Sequence, residues 1–159
     1  MSGSGATQLQ SQIAIREAVA FSQMIAILSR STHHKHYTLA DLEWLVVPPL
    51  VSGQFYIAEG KTQQDGPSMP LGLVFWATVS LAVDQRLSSN LATPMRLHPS
   101  EWRSGEILWL IEVAGETRAI TGLLNQVVAG PLKGRAVKLR TVGEDGRPLV
   151  KELAAKPAA

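Results

Sequence analysis

The segment EILWLIEVAG, residues Glu106 to Gly115, constrains the fold more than any other stretch. Leu108, Trp109, Leu110, Ile111 and Val113 put apolar side chains on both of its faces, and a strand of that kind has to lie inside its sheet with both faces covered. The chain carries material for that cover. Between Thr7 and about Leu28, the residues Leu9, Ile13, Ala20, Met24, Ile27 and Leu28 recur at helical spacing. LADLEWLVV, after Thr38 and Asp41 in a capping arrangement, makes a short second helix that Pro48 and Pro49 are expected to stop. GQFYIAEG and LGLVFWATVS read as an antiparallel strand pair around the turn-rich TQQDGPSMP, and LAVDQRLSSNL as a helix. After the central strand come a helix, TRAITGLLNQVVAG, and a terminal hairpin, RAVKLRTV with LVKEL around GEDGRP. The order predicts a single α/β domain: a mixed, mostly antiparallel sheet flanked by helices.

Residues 1–8 and 154–159 are expected to be disordered tails around a domain spanning 9–153. Composition then removes several functions. The 159 residues hold no cysteine, which excludes disulfides, thiolate catalysis and thiolate metal sites. A net charge of +2 is too small to argue for nucleic acid, and neither a P-loop nor a dinucleotide fingerprint is present. No run approaches the roughly 20 apolar residues of a spanning helix, and MSGSGATQLQ lacks the features of a signal peptide, so the expectation is a cytoplasmic protein without an integral membrane segment.

Two features carry possible chemistry. Glu112 interrupts the central strand, and an ionised carboxylate there has to be satisfied by something. Either it reaches solvent or an arginine at the strand end, or it orients and charges a histidine. Three of the four histidines, His33, His34 and His36, sit in the connection between the first two helices. A metal site, a solvated basic loop extended by Arg30 and Lys35, and one catalytic histidine with two bystanders are the competing readings, and no compact ligand motif supports the metal. Ser31 is either a nucleophile or a turn residue, without a G-x-S-x-G elbow around it. Trp44, Trp76, Trp102 and Trp109 read as core or pocket lining.

Several pieces in order carry a resemblance. His34 precedes LVVPPLVSGQFYIA by a short interval; FWATVSL is similar to SWANLSL, EWRSGEILWLIEVAG to DWTSGDRKWFIDWIAPFG, and RAVKLR to a strand of the type RAIRV. Together they cover Ser22 to Val142, and the chain resembles the toxin-activating lysine acyltransferases that acylate RTX protoxins such as hemolysin. The resemblance implies that His34 falls on the family's essential histidine, Ser31 on a serine also implicated there, and Glu112 on the essential aspartate, one methylene longer here. It also implies a GNAT-like sheet, an acyl donor carried on acyl carrier protein, an acceptor lysine on an RTX protoxin, and neither a metal nor a tightly bound cofactor; a homodimer is a further expectation. His34 would act as base or as nucleophile. Phe55, Phe75, Trp76 and Leu110 are candidate lining for the acyl chain, and the basic segment with Lys133, Arg135, Lys138 and Arg140 is either a dock for the acidic carrier or the guard of an exposed strand edge. The rivals are a catalytically inactive adaptor of the same fold, for which the Glu112 replacement speaks, and an acetyltransferase using acetyl coenzyme A.

Overall fold

The computed structural model describes residues 3–61 and 63–155. These residues form five helices and five strands, in the order α1 (Gly3–Arg30), α2 (Leu39–Leu45), α3 (Val47–Ser52), β1 (Phe55–Lys61), β2 (Ser68–Val79), α4 (Leu81–Ser89), β3 (Ile107–Gly115), α5 (Thr117–Ala129), β4 (Val137–Val142) and β5 (Pro148–Leu153), with a short 3-10 turn at Pro99–Glu101. The strands form one sheet in sequence order. β1–β2, β2–β3 and β4–β5 pair antiparallel, while β3 and β4, joined through α5, run parallel. This is the mixed, mostly antiparallel sheet expected, and β3 is central as its two apolar faces require.

The faces sort by alternation. Leu73, Phe75, Ala77, Val79, Trp109 and Ile111 pack with Met24, Ile27 and Leu28 of α1, Leu45 of α2 and Val83 and Leu87 of α4. Val74, Trp76, Leu108 and Leu110 pack on the other face with Leu123 and Val127 of α5. Close approach of backbones is needed where β3 ends: Gly115 sits at φ 143°, and a Cβ there would lie 2.5 Å from the Leu71 carbonyl oxygen.

Four local expectations are corrected. Pro48 and Pro49 do not stop a helix; they occupy the first turn of α3, where a missing N–H and a fixed φ cost nothing. Residues 3–8, expected as tail, are the first turns of α1, exposed throughout and with the Thr7 hydroxyl donating to the Gly3 carbonyl at 2.8 Å; residues 1–2 and 156–159 lie outside the described residues. Ser68–Pro70, expected in a loop, extend β2. The basic segment does not guard an outer edge of the sheet, because β4 lies between β3 and β5.

Lys138 and Arg140 have structural work instead. The Asp84 carboxylate, at the start of α4, accepts from the Trp109 indole at 2.9 Å and the Lys138 ammonium at 2.8 Å, both at Oδ1. Trp109 and Lys138 are also the one residue pair joining β3 to β4 among the described residues. Arg140 donates to the carbonyls of Leu87 and Asn90, closing the C-terminal end of α4, and to that of Thr93 at 2.7 Å. Replacing Asp84 with alanine would leave an ammonium and an indole N–H without their shared partner in a largely buried place. We expect Asp84→Ala to lose about 3 kcal/mol of stability in urea unfolding, a loss typical of breaking a buried pair from one side.

Candidate functional site

α1 ends at Arg30, and the connection 31–38 is tightly wound: the His34 and Lys35 amides both donate to the Ser31 carbonyl, and Tyr37 N–H to that of His34. α2 then starts behind Thr38, whose backbone N–H donates to Asp41 Oδ2 at 2.7 Å. That bond, with the Thr38 hydroxyl, holds the Asp41 carboxyl below the usual carboxylate range. The turn sorts the three histidines. His33 and His36 are exposed, while His34 is 5% exposed and points into the protein.

What it meets there is Glu112. Strand alternation would put this carboxylate on the α5 face with Leu108 and Leu110, but β3 carries a bulge. Phe75 pairs with Glu112 and Trp76 with Leu110, so Ile111 is the extra residue and two successive side chains, Ile111 and Glu112, fall on the α1 face. His34 Nε2 lies 2.9 Å from Glu112 Oε2, with the side chains 3% and 21% exposed. Close as it is, the carboxylate does not meet Nε2 in hydrogen-bonding geometry, and Nε2 is a buried nitrogen with no hydrogen-bond partner among the described residues. Glu112 Oε1 accepts from the Val113 amide at 3.1 Å. On the far side of the ring, Nδ1 and the Ser31 hydroxyl are 2.7 Å apart. The structure thus brings Ser31, His34 and Glu112 into one chain of contacts.

Tyr37 completes the surround. Its ring meets His34 edge-on at 5.2 Å between centroids, and the His33 ring meets His34 at 4.8 Å. The Tyr37 phenol is held above its ordinary pKa of 10.0, first by burial, then by the negative charges of Glu112 and Asp41. Nothing in the sequence singled Tyr37 out; its position three residues after His34 on a tight turn was the available signal.

The site opens onto a cleft. Beyond the Trp109–Lys138 pair β3 and β4 part, leaving a cavity of about 450 Å³ between Leu110–Val113 on one side and Leu139 and Arg140 on the other, with His33, Tyr37 and Glu112 at its wall. Of the four residues proposed to line an acyl site, Leu110 borders this cleft; Phe75 is fully buried in the core facing α1, Phe55 packs against that same core, and Trp76 is buried against α5. The other tryptophans are structural: Trp109 on Asp84, Trp102 donating to the Trp44 carbonyl at 3.0 Å, and Trp44 under the Arg96 guanidinium. His98, the fourth histidine, caps the 3-10 turn. Among the described residues no group of three or more His, Asp or Glu is placed to hold a metal ion, and no helix is long and apolar enough to cross a membrane.

A five-stranded mixed sheet that opens between its two parallel strands, with a histidine and a carboxylate facing each other beside the opening, is compatible with a GNAT-like transferase fold. The profile of the RTX toxin acyltransferase family matches residues 13–151, and the chain belongs to that family. It is an acyltransferase of the toxin-activating kind. No curated protein matches the chain.

Because Glu112 contributes to the elevated Tyr37 pKa, we expect Glu112→Gln to lower the phenol titration measured by ultraviolet absorbance, with burial keeping it above 10.0. The same shift sets a stability window. A phenol that keeps its proton longer in the folded chain contributes stability below the unfolded pKa of about 10, and that stability is lost as pH rises from there through the folded value.

Proposed function

We propose that the protein moves a fatty acyl chain from the thioester of acyl carrier protein to a lysine ε-amine of an RTX protoxin, with His34 as the base. One observation carries the reading: the buried Nε2 without a hydrogen-bond partner, 2.9 Å from Glu112 Oε2, on a ring whose other nitrogen is engaged by Ser31. A hydrogen bond from Nδ1–H to Ser31 Oγ leaves the Nε2 lone pair free to accept a proton. The acceptor lysine arrives as an ammonium, with an unperturbed pKa of about 10.4, and must lose a proton before it attacks. Nε2 takes that proton, and the Glu112 carboxylate stabilises the imidazolium that results. The freed amine adds to the thioester carbonyl; a C–N bond forms, the C–S bond breaks, and the thiolate leaves with the carrier, protonated by the imidazolium; the neutral imidazole so regenerated takes the second proton from the acylated nitrogen and passes it to water.

The parted strands suit the donor. Beyond the Trp109–Lys138 pair the facing edges of β3 and β4 have no ladder to complete, and their backbone groups need partners. The prosthetic arm of a carrier protein carries amides that can supply them. Lys133 and Arg135, both exposed, remain as the cationic rim for an acidic carrier once Lys138 and Arg140 are committed inside the fold.

A second reading follows from the 2.7 Å approach of Ser31 Oγ to Nδ1: with the proton on Nε2, beside Glu112, the imidazole would activate the hydroxyl, and acyl transfer would pass through an acyl-serine. The variants separate the two. With carrier-bound palmitate and a protoxin fragment, read by mass spectrometry, His34→Ala should abolish the lysine adduct. Ser31→Ala should slow it while leaving turnover, whereas total loss, with an acylated Ser31 trapped in wild type, would favour the serine route. Glu112→Asp restores the residue expected from the family pattern, yet here the shorter side chain withdraws its oxygens from His34 by over an ångström; we expect transfer to fall by about tenfold to a hundredfold.

A further inference from the structure

Besides the strand cleft, a second cavity reaches His34. It is a groove of about 400 Å³ between the C-terminal part of α1 and the start of α2, bordered by Ile25, Leu28, Tyr37, Leu39 and Leu42, with His34 in its wall. His33 borders the strand cleft and His34 the groove, with Tyr37 common to both. The His34–Tyr37 pair therefore stands where the two spaces meet. We propose that the groove between α1 and α2 holds the hydrocarbon chain of the acyl donor, so that the thioester sits at His34 with its amide-bearing arm in the strand cleft and its tail between the helices. The proposal rests on the acyl-transfer reading and adds to it the place and the residues that select chain length.

Three observations carry it. First, the two walls differ in chemistry. The strand cleft is lined in part by unpaired backbone edges, which a hydrocarbon cannot satisfy. The groove has no sheet edge in its wall: it is bordered by α1, α2 and the turn between them, and Ile25, Leu28, Leu39 and Leu42 make most of its surface apolar, with Ser29, Lys35 and Thr38 as polar points. Second, Leu39 is 86% exposed in the first turn of α2, beside an apolar groove, where a methylene chain would cover it. Third, the volume falls in the range of about 300–1,000 Å³ typical of sites for small apolar ligands. Each methylene taken from water into such a groove contributes roughly fourfold in affinity, so a long chain gains most from it.

The test uses the full protein with carrier protein loaded with palmitate bearing a photoreactive diazirine near its methyl end. After irradiation, cross-links on residues 22–45 are the expected result. Cross-links confined to residues 108–113 or 137–142, or none despite carrier binding, would overturn the proposal. The exposed site allows a second measurement without disturbing the core: Leu39→Glu should lower the ratio of palmitoyl to hexanoyl transfer at least about tenfold, since a charge beside a buried chain resists desolvation. An unchanged ratio would sink the assignment. If wild type cross-links at 22–45 but acylates no lysine, the transferase reading fails and the groove assignment stands; if it acylates lysine with cross-links only in the strand cleft, the reverse holds.

Discussion

The Asp84 carboxylate fixes where the sheet opens. Its Oδ1 accepts from Trp109 and Lys138, the two residues that also make the pairing between β3 and β4. A parallel seam is weak per residue and normally gains stability by running on, yet here it is held at one point and released at once. The carboxylate comes from α4, whose C-terminal end is in turn tied to β4 by Arg140. Helix and strand thus brace each other on one side of the opening, and the divergence of the strands is a built feature. Everything assigned to the cleft depends on that brace.

The second constraint is the bulge at Ile111. Without the extra residue, Glu112 would face α5 among Leu123 and Val127, where a carboxylate has no partner, and His34 would face an aliphatic wall. With it, a charged group and a buried imidazole coincide across two elements distant in sequence. Backbone displacement and side-chain length together set where the carboxylate oxygens arrive. Glu112 and His34 are matched to each other as placed.

Much of this was legible in the residues. The two-faced apolar run of β3 demanded a covered central strand, the spacing in α1 supplied one cover and the helical segment after β3 another, and the turn-rich segments marked the hairpins. Ser31, His34 and Glu112 were all singled out as candidates, and Ser31 and Glu112 lie 2.7 Å and 2.9 Å from the two nitrogens of the His34 ring. What was not legible has physical reasons. Ile-Glu-Val reads as ordinary alternation, and a bulge adds no residue type that announces it. Pro48 and Pro49 look like terminators, and the sequence alone does not say that a new helix starts on them. Phe55, Phe75 and Trp76 looked like pocket lining because aromatic residues serve both purposes; which face each strand residue takes decides, and Phe75 and Trp76, as neighbours on β2, necessarily take opposite ones.

His34 belongs to a helical connection near the start of the chain, Glu112 to the middle strand of the sheet, and the bulge that aligns them exists only when β2 and β3 are in register. Such a pair is a long-range contact, formed late because the intervening chain must be ordered first. A partly folded polypeptide therefore has the histidine and the carboxylate but not their juxtaposition. On the mechanism proposed above, reactivity toward amines would arise only with the finished tertiary structure, and a chain still emerging from synthesis would not yet have it.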